Sequence, residues 1–229
     1  VGTTRYRVPI MASAMDGVVD VKFAIAFGKL GGLAVLNLEG VQTRYENPEE
    51  ILNKILKAKD GTVTEFLQHI YREPIKEKLI AKRIQEIRKG KVPCVVSAIP
   101  QRAEKFGPIA QEAGADVFVV QSTISTVRHV STEYKSLDIK KFCKSMKIPV
   151  VVGNCVTYPI ALELMESGVS AILVGLGPGA ACTTRGVLGI GIPQVTATVD
   201  CSAARDFYFK KTGRYVAAGN NRSWVGFLD

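Results

Sequence analysis

The sequence predicts an α/β fold, a TIM-type (β/α)8 barrel present in part. Three observations lead there. Short apolar runs at residues 9–13, 33–37, 93–98, 117–121, 150–153 and 171–175 are continuous rather than alternating, as strands buried on both faces of a parallel sheet require. Helical stretches lie between them and begin at proline or stop at glycine. One phrase also repeats. Glu112-Ala113-Gly114-Ala115-Asp116 runs into Val117-Phe118-Val119-Val120, and Glu166-Ser167-Gly168-Val169-Ser170 runs into Ala171-Ile172-Leu173-Val174. Each reads as helix end, glycine cap and buried strand, and most strand starts are about 20 to 35 residues apart, the length of a βα unit.

The elements follow in order. Strand 9–13 is followed by a helix over 20–30 that ends at Gly31, and then by strand 33–37. The connection 38–91 carries two charged amphipathic helices, 49–59 after Pro48 and 74–89 before Gly90. It is too long for an ordinary loop, and the open readings are an elaborated outer layer, a lid or a subunit contact. Strand 93–98, helix 103–113 and strand 117–121 come next. Strand 150–153 precedes helix 159–167, which has Pro159 in its first turn and Gly168 just past its end. After strand 171–175, residues 195–199 lead into a helix over 202–211, and Tyr215-Val216 could begin a seventh strand. Six βα units are traceable where a closed barrel needs eight. The barrel is therefore predicted over 1–216 as incomplete, with 217–229 a tail of different character.

Composition narrows the function classes. A chain of 229 residues, 47% hydrophobic, can bury one sizeable core. The formal charge of +9 favours anionic ligands such as nucleotides. The lysines are dispersed and no zinc-finger spacing occurs, so nucleic-acid binding is not expected. The five cysteines, Cys94, Cys143, Cys155, Cys182 and Cys201, include no C-x-x-C pair. Their odd number fits a reducing compartment, and the expected location is the cytoplasm. No apolar run approaches membrane-spanning length.

The most informative segment runs Val174-Gly175-Leu176-Gly177-Pro178-Gly179-Ala180-Ala181-Cys182-Thr183-Thr184-Arg185-Gly186. It leaves the C-terminal end of a buried strand, where barrel active sites lie. The glycines at 175, 177 and 179 let the main chain approach a ligand or ion, amides for a phosphate and carbonyls for a monovalent cation. Cys182 then lies on a loop, and a helix starting nearby would favour its thiolate. Thr184 is placed to hydrogen-bond a reacting water or ligand. From these residues alone a nucleophile and a small buried thiol in a glycine-rich turn both remain open. The spacing is not a dinucleotide fingerprint. No clustered histidines, G-x-S-x-G elbow, P-loop or well-placed carboxylate pair competes.

The other strand ends are polar too. They carry Ser13-Ala14-Met15-Asp16, Asn37, Gln121-Ser122-Thr123, and Gly153-Asn154 followed by Thr157. Each alone is an ordinary turn or cap residue. Together, at the mouth of one barrel, they predict a polar small-molecule pocket.

As a set, these segments resemble the IMP dehydrogenase/GMP reductase family. The loop 175–184 is similar to that family's catalytic cysteine loop, and Gly191-Ile192-Pro193-Gln194-Val195-Thr196-Ala197 to the segment after it. Pro9-Ile10-Met11-Ala12-Ser13-Ala14-Met15-Asp16, Gly31-Gly32-Leu33-Ala34-Val35-Leu36-Asn37 and Val151-Val152-Gly153-Asn154-Cys155-Val156-Thr157 resemble its first, second and fifth strands. Residues 38–91 are too few for the pair of CBS modules most members carry, and Glu39-Gly40-Val41-Gln42-Thr43-Arg44-Tyr45 is similar to the compact branch that lacks them.

The resemblance implies an oxidoreductase converting IMP to XMP with NAD. The Cys182 thiolate would attack purine C2, hydride would pass to NAD, and water would hydrolyse the thioimidate with the help of Thr184. It implies nucleotide contacts at Ser13, Met15, Gly179, Ala180 and Ala181, and cofactor contacts at Gln121, Ser122, Thr123, Asn154 and Gly175. Potassium would be held by the carbonyls of Gly177, Gly179 and Cys182. A homo-oligomer is implied for a full-length form. The alternatives are GMP reduction with NADPH at the same cysteine, and a non-catalytic purine-nucleotide-binding or structural role. Two residues depart from the family pattern: Ala180 stands at a phosphate-holding serine and Gln121 at an aspartate beside the cofactor. An Asp-Gly-Gly turn after strand seven, a second phosphate loop and an Arg-Tyr flap are not matched in 217–229. The chain by itself is expected to lack part of the catalytic apparatus.

Overall fold

The structure is a computed structural model that describes residues 1, 7–58, 61–125, 127, 136–179 and 182–220. Its elements in chain order are β1 Met11–Ala12, α1 Val21–Leu30, β2 Leu33–Asn37, α2 Val41–Arg44, α3 Pro48–Leu56, α4 Val63–Arg72 and α5 Glu77–Lys89. These are followed by β3 Val95–Ala98, α6 Pro100–Ala113, β4 Val117–Gln121, α7 Ile139–Ser145 and β5 Val150–Cys155. The chain continues through α8 Tyr158–Glu166, β6 Ala171–Val174, α9 Thr184–Leu188, α10 Gln194–Thr212 and β7 Ala217–Asn220.

Seven strands form one sheet in the order β1 to β7, every neighbouring pair parallel. The strand order never reverses, unlike that of a doubly wound sheet. The two faces differ. One buries Ala34, Leu36, Val96, Phe118, Val152 and Ile172 against helix residues such as Ile84, Phe106, Leu164 and Cys201. The other buries Met11, Leu33, Val35, Val95, Val117, Val119, Val151, Ala171 and Leu173, and among the described residues no helix residue joins them. Helices on one face, with the other face packed on itself, make a curled, incomplete barrel. Each fully buried leucine, valine or isoleucine contributes about 1.5–3 kcal/mol, so both layers are needed.

Local signals set the helix ends. The Asp20 carboxylate accepts from Phe23 N and caps α1, which closes on Gly31 in the left-handed region (φ 102°). Pro100 and Pro159 occupy first-turn positions of α6 and α8. The sequence predicts the last helix only from Ser202, whereas α10 begins at Gln194. Ala197, Cys201, Ala204 and Tyr208 are buried at helical spacing along it. The alternating, β-branched run 195–199 is therefore the first part of a helix. A second correction concerns the end of the sheet: Ala217–Asn220, placed by sequence in the tail, pairs with β6 as a seventh strand. The apolar residues Trp224 and Phe227 lie outside the described residues.

The 38–91 connection is a helical layer fastened by two buried arginines. Arg44 donates to the carbonyls of Glu39, Tyr71 and Glu73. Arg83 donates to those of Gln42, Tyr45 and Glu46. Both Asp16 oxygens accept from Val41 N, at 3.1 and 3.0 Å, and one also accepts from the Tyr71 hydroxyl. The layer is thus tied to the turn that leaves β1. Among the described residues no helix is long and apolar enough to cross a membrane.

Candidate active site

The inward-facing side of the sheet changes chemistry along each strand. Leu33 and Val35 lead to Asn37, Val95 to Ser97, Val117 and Val119 to Gln121, and Val151 to Gly153. Because strand side chains alternate faces, these inward residues converge at the C-terminal mouth, where a polar wall replaces the apolar plug below.

A cavity of about 360 Å3 lies there, lined by Ala14, Asn37, Glu39, Ser97, Ala98, Ile99, Gln121, Ser122, Thr123, Asn154, Gly175, Leu176, Gly177, Pro178, Cys182 and Thr184. Nine residues singled out in the sequence meet in it: Asn37, Gln121, Ser122, Thr123, Asn154, Gly175, Gly177, Cys182 and Thr184. Ser13, Met15 and Gly179 are not part of the lining. Ser13 is half-buried just past β1, and Met15 is exposed. The Gly179 carbonyl accepts from Cys182 N at 3.0 Å and so closes the bend before the cysteine. Ala180 and Ala181 lie outside the described residues. Ser97 and Ile99 are lining residues the sequence reading does not name, and Glu39 is named there only within the compact-branch motif, with no role at the site. Ser97 shares its face with Asn37 and Gln121, a parity visible in the sequence. Glu39 has no such signal.

The cysteine loop is held at both ends. Leu176 and Ile192 form an antiparallel bridge, with Ile192 N donating to Leu176 O at 2.9 Å. Gly175 has φ 129° and Gly177 φ 57°, conformations that side chains rarely adopt. Asn154 Nδ2 donates to Gly175 O at 2.8 Å and joins the β5 end to the loop. The β4 and β5 ends are joined as well: Ser122 N donates to Gly153 O, Asn154 N to Ser122 O, and Ser125 N to Asn154 O. The Gly153–Asn154 peptide is cis.

Cys182 is half-buried, and its thiol donates to Thr184 Oγ1 at 3.2 Å. Helix α9 starts at Thr184, two residues on, and has only five residues. The other cysteines are in unreactive settings. Burial pushes the Cys94 thiol up to about 12 and the Cys143 thiol up to about 11. A hydrogen bond with Cys201 and burial raise Cys155 far above the usual thiol range. Cys182 alone among the five lines the cavity.

Comparison with known proteins identifies the family. The family model described as IMP dehydrogenase / GMP reductase domain matches residues 2–219. The chain belongs to this family. It is 36% identical over 219 residues to an uncharacterized oxidoreductase of Mycobacterium tuberculosis, covering 93% of this chain and 58% of that protein. It is 30% identical over 211 residues to the inosine-5′-monophosphate dehydrogenase of Cryptosporidium parvum, covering 86% of this chain and 50% of that one. A crystal structure of an IMP dehydrogenase/GMP reductase-like protein from Corynebacterium glutamicum superposes with a TM-score of 0.87 at 31% identity, over 96% of this chain and 58% of the other. The chain thus spans between 50% and 58% of the length of these relatives. The family assignment covers the barrel layer and the cysteine loop alike, since the matched residues include every strand, β7 up to Gly219.

Proposed function

We propose that the chain carries the nucleophile-bearing part of an oxidoreductase that acts at C2 of a purine nucleotide, in the direction IMP to XMP with NAD. One observation carries this reading: Cys182 lines the mouth of the barrel, hydrogen-bonded to Thr184 and beside Asn154 and Gly175.

The chemistry follows from that placement. Cys182 loses its proton and the thiolate adds to C2. As the C2 hydrogen departs as hydride, the C2–S bond remains and a thioimidate results. Water then adds at C2, the thiolate leaves, and XMP is formed. Thr184 holds the sulfur's orientation in the resting site and is placed to steer the water once the thiol proton is gone.

The residues present fit a nicotinamide, which supplies the hydride acceptor. Amide and hydroxyl groups of Gln121, Ser122, Thr123 and Asn154 share the cavity with the sulfur, the donors and acceptors that a carboxamide and a ribose require. They also fit a monovalent cation. The proposed ligands are the carbonyls of Gly177, Gly179 and Cys182, two of them on residues without a side chain, and such an ion would fix the cysteine loop. Ser13 and Met15, on the β1 exit next to the lining residue Ala14, are the proposed nucleotide contacts outside the cavity, with Gly179, Ala180 and Ala181 from the loop.

Mass spectrometry of the chain incubated with a C2-electrophilic IMP analogue tests the reading. A purine adduct confined to Cys182 is expected. Nucleotide binding without an adduct, unchanged in Cys182→Ala, would make this a binding module. Ammonia release from GMP with NADPH, and no XMP from IMP with NAD, would reverse the direction.

A further inference from the structure

We infer that Glu39 is a cofactor-binding residue of this cavity, whose carboxylate accepts hydrogen bonds from the two hydroxyls of the ribose attached to the cofactor's nicotinamide. The inference rests on the proposed function and adds a residue to it.

Glu39 follows β2 and is the only Asp, Glu, Lys, Arg or His side chain among the lining residues. Its position is fixed from outside the cavity. Oε2 accepts from Ile99 N at 2.9 Å, and Oε1 pairs with Arg102 Nε at 3.0 Å. Ile99 caps α6 and Arg102 lies in its first turn, so one helix start clamps both oxygens. The side chain is 15% exposed.

The chemistry of the clamp selects the ligand. An ionised carboxylate has about four acceptor positions on two oxygens. Each oxygen has one contact to the start of α6 and capacity for a second donor, and a carboxylate of that kind is a bidentate partner for a vicinal diol. A cation is a poor match, because Arg102 already balances the charge. A phosphate is repelled. Hydride transfer requires the nicotinamide to lie against the purine at Cys182. The nicotinamide and its ribose must therefore enter the cavity that Glu39 shares with that sulfur, and about 360 Å3 leaves the adenosine end outside. Because the carboxylate is held before the ligand arrives, little ordering cost opposes its hydrogen bonds.

Titration calorimetry on the full chain tests this, with NAD+, NADP+ and IMP as probes. Both dinucleotides carry an intact diol on the nicotinamide ribose. Glu39→Gln should raise the Kd of each dinucleotide about tenfold, the effect of weakening charge-assisted bonds. IMP should stay within about twofold, and Arg102→Gln, which loosens the clamp, should weaken both dinucleotides and leave IMP within about twofold. Dinucleotide affinities within twofold of wild type in Glu39→Gln would overturn the inference. So would a loss confined to IMP, or a wild-type chain that binds neither dinucleotide. Labelling of Cys182 by the IMP analogue separates the two readings: a labelled cysteine with no Glu39 effect sinks only this one, and an unlabelled wild-type cysteine sinks the chemistry above.

Discussion

Gln194 sits directly over Gly175: a β-carbon added at Gly175 would stand 2.5 Å from Gln194 Oε1. Gln194 is the first residue of α10, and its Nε2 donates to Thr198 Oγ1 at 3.2 Å. The glycine at the end of β6 is thus covered by the helix that follows the cysteine loop. Gly175→Ala meets two obstacles, this contact and a φ of 129°. It should lower unfolding free energy by about 1–3 kcal/mol in urea denaturation. The double variant with Gln194→Ala should recover only the contact part. Full recovery would mean that the backbone conformation costs nothing.

In a full-length form Cys182→Ser should abolish adduct formation and hydride transfer and leave the IMP Kd within about tenfold, because an alcohol is a far poorer nucleophile than a thiolate. Thr184→Val should keep the adduct but change the rate of labelling, since the sulfur loses its hydrogen bond to Thr184. Unchanged turnover in the serine variant would remove the thiol from the mechanism.

Much of this arrangement is legible in the sequence, and the failures have physical causes. The bounds of β2 and β4 follow from continuous apolar runs, because a strand buried on both faces has little freedom in composition. Val195-Thr196-Ala197-Thr198-Val199 misleads because its alternation suits a strand, yet Ala197, Cys201, Ala204 and Tyr208 dock as one helical stripe. Tertiary packing overrides local β preference there. Helix α4 carries Val63, Phe66, Leu67, Ile70 and Tyr71 at helical spacing, so its signal is present in the sequence and is passed over. The place of Glu39 at the site is invisible for another reason. Its partners Ile99 and Arg102 lie about sixty residues away, and only the β2–β3 pairing brings them to it. Cys182, by contrast, is announced by its neighbours in the chain.

The buried thiols make alkaline stability pH-dependent. Burial raises Cys94 to about 12 and Cys143 to about 11, from an ordinary value of 9.0. Below about pH 9 the thiols are protonated in both folded and unfolded chains, and their contribution is fully present. As pH rises from about 9 towards 11–12, the unfolded chain ionises first and stability is lost. Denaturation midpoints at pH 8, 9.5 and 10.5 should fall in that order, and Cys94→Ala should flatten the trend. Equal slopes with and without the Cys94 thiol would assign the loss to other groups.

Tyr71 and Asp16 link the helical layer to the β1 exit turn, next to the proposed nucleotide contacts Ser13 and Met15. Burial and the bond to Asp16 raise the Tyr71 hydroxyl above its ordinary value, so it remains a donor at neutral pH. Asp16 in turn accepts from Val41 N at the start of α2. Tyr71→Phe removes one hydrogen bond to a charged group at a half-buried place. It should cost about 1 kcal/mol, with little change in the core. Because the same carboxylate holds Val41 N, the variant should speed hydrogen exchange at Val41 and leave exchange at Val119 in β4 unchanged. The turn is also freed, so the IMP Kd should rise about two- to fivefold. Val41 exchange at the wild-type rate would show that Asp16 holds the layer without the tyrosine.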